Sequence, residues 1–560
     1  MRTGVPSGRE VLKKAMSGQT RFLVGSSLLA SGHQAGEALV PVLIGVVIDQ
    51  AVAGGSVGDL ALWLGALAAT FAALSSCYRF AVRASERAAE QSAHDLRTEL
   101  SRRVLDPRGG AEEGHLPGAL VNIATEDARR VGAIASAVPF GVSALAGVAV
   151  TAVVLLRMSV PLGLLILLGA PPLLWLIHLV GKPLERRSGL EQQRAADASG
   201  IAADLVGGLR ILKGIGAESA AIARYHRTSR DSLDASVRSA GARAWHNGAI
   251  LAMNGVFIAV VALVGGRLAA GGALSVGELV SAVGLAQFLL GPLSIFTMVN
   301  ARLAQGRASA ERVAAVLAAP HAVAAGAERL PEPVRGRVRF RGVSHAALAG
   351  ADFDIAAGEL VGVVTTSPST ATALLECLAR DVDPASGSVE LDGVALSCLD
   401  PAEARRALLV AAHDADLFEG TVLDNVRCES ERDSAPAIRA AGVDEVARAL
   451  PDGLDTALTE RGHSLSGGQR QRVALARALA ADPPVLVVHD PTTAVDAVTE
   501  ARIAAGIREI RRSRTTVLVT TSPALLAVTD RVLVLDGTSV RHGHHSELVD
   551  DENYRTAVLA

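Results

Sequence analysis

The stretch RGHSLSGGQRQRVALARALAADPPVLVVHDPTTAVDAVTE, residues 461–500, decides the fold. Its middle, RQRVALARALAA, holds Ala, Leu and Arg with neither Gly nor Pro and reads as a helix. SLSGGQ just ahead of it puts Ser466 and the backbone N–H groups of Gly467 and Gly468 at the helix N-terminus, where unpaired donors and partial positive charge favour an anion. PVLVVHD then reads as a short strand. Working outward, ELVGVV (359–364), TTVLVT (515–520) and DRVLVL (530–535) are runs of the same kind. They alternate with helical stretches from about residue 337 onward, which predicts a parallel α/β domain.

The rest of the chain is different in kind. Of 560 residues, 50% are hydrophobic and 20% charged, and the mean hydropathy is +0.34, too apolar for a purely water-soluble protein. The formal net charge is −3, so no basic field holds nucleic acid. Cys77, Cys377, Cys398 and Cys428 show no C-x-x-C spacing, which excludes a disulfide framework and a cysteine zinc site. The apolar excess lies in six stretches near residues 22–48, 60–78, 133–156, 159–181, 248–266 and 277–298. Each is long enough to cross a hydrocarbon layer as a helix.

Lys and Arg set the orientation. Residues 49–59 contain neither, whereas the N-terminal stretch has Arg2, Arg9, Lys13, Lys14 and Arg21, and the two long loops (roughly 79–132 and 182–247) are rich in Arg. Both termini are therefore expected in the cytoplasm of a multi-pass protein of the plasma (inner) membrane. Charged helical patterns in the long loops predict helices continuing out of the membrane. Polar residues inside spans point to cargo contacts or to helix–helix contacts. His33 and Glu37, i and i+4 neighbours in the first span with Gln34 between them, are the leading cargo candidates and can equally pair with each other as a structural contact; Asn254 and Gln287 are weaker candidates that more often bridge helices. Pro171-Pro172 is expected to kink the fourth span.

Residues 461–500 resemble the ATP-binding cassette (ABC) family. Leu465-Ser466-Gly467-Gly468-Gln469 matches that family's signature in every letter, and Asp496 stands at its D-loop aspartate. LFEGTVLDNV (417–426), PDGLDTALTERG (451–462) and GHHSELV (543–549) agree with it. With six spans ahead of one cassette, the chain looks like an exporter-type half-transporter. The resemblance implies an all-α transmembrane domain (1–302), a linker (303–336) and an α/β P-loop-type cassette (337–560). GALVNIATEDARRV (118–131) and GGLRILKGIGAESAAIARY (207–225) resemble the coupling regions that meet the cassettes.

The phosphate-binding positions depart from the pattern. G-x-x-x-x-G-K-[ST] needs glycines so that N–H groups converge, a lysine for the β/γ-phosphates and a hydroxyl for Mg²⁺. In GVVTTSPSTATALLECLA, Thr365, Pro368 and Thr370 stand at the glycines, Ala371 at the lysine, and Thr372 alone keeps a hydroxyl. Pro368 also removes an N–H and fixes φ. His489 stands at the Mg²⁺ aspartate, Asp490 at the catalytic glutamate, His413 at the glutamine and Ser522 at the switch histidine. Between Phe340 and Phe353 only His345 is offered to an adenine ring. His413, His489 and Asp490 together make a conceivable zinc donor set, but drift to satisfied polar contacts is the reading adopted, with no metal.

An intact signature beside an eroded phosphate loop implies a half-site that serves another chain. The expectation is a heterodimeric exporter of a small molecule, lipid or peptide. Its unlike second half-transporter binds most of the ATP and Mg²⁺ and supplies the catalytic groups, while Leu465 to Gln469 and Asp496 act in trans. A non-transporting membrane regulator and an importer of the same layout are the alternatives.

Overall fold

The computed structural model describes residues 6–52, 57–365, 367–413, 416–427, 432–536 and 539–559; Cys428 lies outside them. The chain divides into two compact units, residues 1–101 with 116–318, and residues 102–115 with 319–560.

The first unit is helical throughout. A short α1 (Gly8–Ser17), closed by a capping box between Ser7 and Glu10, precedes α2 (Thr20–Val46), whose end loosens into a π-helical turn, Val47–Val52. α3 (Val57–Val104) leads through α4 (Pro117–Asn122) and a second π-helical turn, Ile123–Asp127, into α5 (Ala128–Met158). α6 (Val160–Gly207) is 48 residues long and continues unbroken through Pro171, Pro172 and Pro183. After α7 (Leu209–Gly214), α8 (Glu218–Ala270) and α9 (Val276–Ala318) complete the unit. Among the described residues, six helical segments are long and apolar enough to cross a membrane. At 1.5 Å per residue, helices of 43 to 53 residues such as α3, α6, α8 and α9 exceed what a bilayer needs, so they extend beyond it.

With lipid as apolar as leucine, these helices associate through small residues that permit close backbone approach. Gly45 of α2 lies against Gly277 and Ser281 of α9, and Gly284 lies against Pro41; a Cβ at any of the three glycines would collide. Leu155, Leu162, Ile166, Val261, Leu285 and Leu289 fill the centre. At one end Asp49 accepts hydrogen bonds from Ser275 Oγ and from Gly277 N–H, the latter at 2.8 Å. At the other, buried Asp127 accepts from Ser309 Oγ at 2.9 Å and from Arg312 at 2.6 and 2.8 Å. From Pro171 to Gly207, α6 has no buried residue.

The second unit is the α/β domain. An antiparallel sheet, order β2-β1-β4-β5, is made of β1 (Val338–His345), β2 (Leu348–Ile355), β4 (Ser386–Leu391) and β5 (Val394–Ala395). The main sheet joins β3 (Leu360–Thr365), β6 (Leu408–Ala411), β9 (Val485–His489), β10 (Thr515–Val519), β11 (Arg531–Asp536) and β12 (Ser539–Gly543) in the order β12-β11-β3-β10-β9-β6. Its strands are parallel except β12. β7 (Gly420–Thr421) and β8 (Ala457–Leu458) form a small ribbon. β3, β9 and β10 are nearly continuous runs of buried Val and Leu because both sheet faces are covered. α10 (Pro368–Ala379) follows β3. α11 (Pro401–Ala407), α12 (Val422–Arg427), α13 (Ala435–Ala440) and α14 (Val443–Arg448) precede α15 (Gly467–Ala481), α16 (Ala497–Ile510) and α17 (Pro523–Ala527).

Candidate functional site

Ser466 is the N-cap of α15. Its Oγ accepts from Gln469 N–H at 3.3 Å, and its own N–H donates to Gln469 Oε1 at 2.8 Å, a reciprocal capping box. With the Gln469 donor occupied, the helix end presents the N–H groups of Gly467 and Gly468 beside the exposed Ser466 hydroxyl. Leu465 is buried and anchors the turn. The segment facing the two glycines requires the second of them: a Cβ on Gly468 would overlap the Ala494 carbonyl, whereas one on Gly467 would meet Ala494 Cβ at 3.4 Å, an ordinary contact. Gln471 locks the same joint, donating to Thr493 Oγ1 at 2.7 Å and accepting from Ala494 N–H at 2.9 Å. Asp496 ends that segment as the N-cap of α16, accepting from Thr499 N–H at 3.0 Å. This bond, with the helix terminus behind it, holds its carboxyl below the usual range. Signature, D-loop and two helix N-termini thus form one braced, solvent-facing surface.

The other half of the site is built differently. Ser367 is the N-cap of α10 without a side-chain capping bond, its hydroxyl lying 2.7 Å from Ser369 Oγ instead, and Pro368 opens the helix. The Thr370 and Ala371 N–H groups both point to Ser367 O, at 3.1 and 3.3 Å. Both side chains are buried, at 3% and 5% exposure, so neither reaches solvent. The Thr372 hydroxyl bonds back to Pro368 O at 3.1 Å. Residues 360–379 contain no Lys or Arg and one carboxylate, Glu376, whose Oε2 lies 3.0 Å from His345 Nε2. Phe340 and Phe353 stack on each other inside the core, centroids 4.3 Å apart. These residues do not fit a Mg²⁺-bound triphosphate, which needs converging donors and a cation.

At the end of β9, His413 Nδ1 is 3.1 Å from the Asp490 carbonyl, the two imidazoles are 5.9 Å apart, and His489 Nε2 is 3.7 Å from Asp490 Oδ2. Asp490 itself is at φ +41°, a conformation costing a non-glycine residue about 1–2 kcal/mol. Its N–H donates to Val519 O at 3.0 Å, so both its backbone groups are engaged. Among the described residues no cluster of three His, Cys, Asp or Glu could hold a metal ion. Ser522 caps α17, accepting from Leu525 N–H at 3.3 Å.

In the membrane unit the polar residues part company. His33 turns to α3, with Nδ1 2.9 Å from Leu74 O and its ring 4.9 Å from Tyr78, while Nε2 stays 3.6 Å from Glu37. Glu37, Gln34, Asn254 and Gln287 instead line one cavity of about 670 Å³.

One feature gave no signal in the sequence. Residues 102–115 belong to the α/β unit, ahead of the stretch 118–131 that the sequence singled out. Arg103 donates to Gly109 O at 3.0 Å and Ala319 O at 2.8 Å, Arg405 donates to Pro107 O at 2.8 Å, and Val323 N–H donates to Arg108 O at 3.2 Å. The Arg108 guanidinium beside Asp106 holds that carboxyl far below the usual range.

Comparison with known proteins matches residues 23–293 to the ABC transporter transmembrane region and residues 348–493 to the ABC transporter domain. An ATP-dependent lipid A-core flippase of Thiobacillus denitrificans is 32% identical over 392 residues, 68% of each chain. A multidrug efflux ATP-binding/permease protein of Mycobacterium tuberculosis is 31% identical over 509 residues, 89% of this chain and 42% of that one. A solved bacterial Atm1-family ABC exporter with ATP bound superposes with TM-score 0.76 at 24% identity, covering 96% of this chain and 98% of that one.

Proposed function

The chain belongs to the ABC transporter family, as a half-transporter of exporter fold with membrane region and cassette in one polypeptide, and from that premise we propose that it works as the non-catalytic subunit of a heterodimer in the bacterial inner membrane, both termini cytoplasmic. One observation carries this reading. The signature surface is fully built and exposed, while the phosphate loop of the same chain starts a helix with proline and has no cation.

ATP and Mg²⁺, held by the unlike partner, supply the phosphoryl group and metal charge for hydrolysis. This chain contributes the Gly467 and Gly468 N–H groups and the Ser466 hydroxyl as preorganised donors to a phosphate, and Asp496 and its neighbours to align the facing surface. The composite site built on Thr365, Pro368, Thr370, Ala371 and Thr372 is silent. Two copies of this chain alone would bring two signatures and no phosphate loop. The stretch of α6 from Pro171 to Gly207, with no buried residue of its own, also suits packing by a second subunit.

The test is purification from the native membrane in mild detergent, with the copurifying chain identified by mass spectrometry. The expected result is a second half-transporter with an intact G-x-x-x-x-G-K-[ST] loop and an ATPase activity that falls at least tenfold on Ser466→Ala in this chain. A homodimer without ATPase activity overturns the proposal and favours a regulator.

A further inference from the structure

The β1 strand carries its charge on one side. Val338 and Phe340 are fully buried in the core, so the alternation of a strand turns Arg337, Arg339 and Arg341 to the outer face of the antiparallel sheet. Arg335 precedes them, and the four arginines line one groove of about 500 Å³. Register places Arg339 directly between Asp354 of β2 and Glu390 of β4. Neither carboxylate serves it. Asp354 accepts from Arg337 Nε and Nη2, both at 2.9 Å, and Glu390 pairs with Arg341 Nε at 2.9 Å. Asp392, also in the lining, accepts from the N–H groups of Arg335, Gly336 and Arg337 at 2.6, 3.1 and 2.8 Å.

Two guanidinium groups are left over. Among the described residues, the side chains of Arg335 and Arg339 make no hydrogen bond or ion pair. Arg339 Nε is enclosed and out of a ligand's reach, so what this side chain offers is its two terminal nitrogens, which are not enclosed. Glu332 is the one lining carboxylate without a partner among the described residues to set against both. Like charges in one row repel unless a counter-charge joins them. The spacing dictates the shape of that counter-charge. Successive outward residues of a strand lie ~6.7 Å apart, so the positive charges form a line and do not converge on a point. A compact phosphate finds no nest of N–H groups here, since Asp392 already fills the one at residues 335–337. A nucleic-acid strand finds no aromatic side chain in the lining on which to stack a base. An extended peptide repeats its alternate side chains at the same ~6.7 Å.

We propose that the groove over β1 is a docking site for an extended acidic peptide, whose carboxylates at alternate positions pair with Arg335, the terminal nitrogens of Arg339 and the remaining donors of Arg341. Arginine suits this role, because its planar fork pairs bidentately with a carboxylate. Pro331 and Pro333 give the groove apolar surface for the residues between the carboxylates. The whole surface belongs to the α/β unit, and its occupancy is independent of which subunit hydrolyses ATP.

The test is binding by the full chain, with whatever copurifies, in nanodiscs of neutral lipid at physiological salt, where diffuse charge attraction is screened. A fluorescein-labelled peptide of alternating Asp and Thr is titrated by anisotropy beside one of the same composition with its Asp in a single block. The complex is then challenged with oligothymidylate of equal charge. Saturable binding of the alternating peptide, at least fivefold tighter than of the block, is expected, with no displacement by the oligonucleotide. Arg339→Gln is expected to weaken it at least fivefold. Glu390→Gln, which frees Arg341 Nε, is expected to tighten it, an outcome that misfolding does not produce. Absent binding, equal affinity for the two peptides, displacement by the oligonucleotide, or affinity unchanged in Arg339→Gln overturns the proposal.

Discussion

Gly468 packs its Cα against the carbonyl of Ala494, so closely that a Cβ would overlap the oxygen. The second glycine of the signature is thus fixed by the backbone of the D-loop as well as by any phosphate it faces. Gly468→Ala is expected to push residues 492–496 outward and to lower ATPase activity of the assembled complex at least tenfold. The comparison is activity at equal recovery of complex, and wild-type activity in the variant would show that the joint is dispensable.

Gln471 holds the same joint from the side with two bonds, to Thr493 Oγ1 and from Ala494 N–H. Gln471→Leu removes both, at a cost of about 1 kcal/mol per bond in a partly exposed setting. Hydrogen exchange at the Ala494 amide is expected to rise severalfold while exchange in β9 stays unchanged.

Ala371 is 5% exposed and part of the core between α10 and the sheets. Restoring the family's lysine alone, Ala371→Lys, is expected to lower the melting temperature by several degrees and to leave TNP-ATP binding by this chain at background. Pro368 still removes a donor, and the Thr372 hydroxyl is still turned to Pro368 O. Tight nucleotide binding by the single variant would show that charge was the only defect.

Cys377 lies in the core behind the same turn, and burial pushes its thiol up to about 12. Maleimide reacts with the thiolate, so labelling at Cys377 is expected to be absent at pH 7 and at pH 9, and to appear on denaturation. The sign is fixed by the raised value: thiolate accumulates only as pH climbs toward 12. Mass spectrometry of peptides after labelling reads it directly.

Arg103 ties residues 102–115 to the α/β unit through the carbonyls of Gly109, Ala319 and Pro320. Arg103→Ala is expected to make residues 105–115 several times more sensitive to limited proteolysis and to cut transport more than ATP hydrolysis. Equal losses of both would assign the arginine to stability alone.

Much of this architecture was legible in the sequence because it rests on local properties. Six apolar runs gave six helices, and SLSGGQ ahead of RQRVALARALAA gave a capped helix, since period, propensity and capping act over a few residues. The alternation of β-branched runs and helices likewise gave the parallel sheet. Less legible were relations between distant residues. His33 and Glu37 share a helical face, yet one ring nitrogen is bound to α3 and the carboxylate lines the cavity. Nothing in residues 102–115 marks them as part of the α/β unit, because carbonyls, not side-chain types, receive most of its bonds.

By itself the sequence determined the chemistry each position can offer: no cation between residues 360 and 379, a proline where α10 begins, a complete signature at 465–469. Side-chain composition needs no folding to be known. Only the tertiary structure decided where that chemistry is available, tying the Thr372 hydroxyl back to Pro368 O, leaving the Ser466 hydroxyl exposed, and burying Gln34 Oε1 without a hydrogen-bond donor. Burial and hydrogen-bond partners are set by contacts between segments hundreds of residues apart, and a polar atom's role depends on which of its partners packing has already supplied.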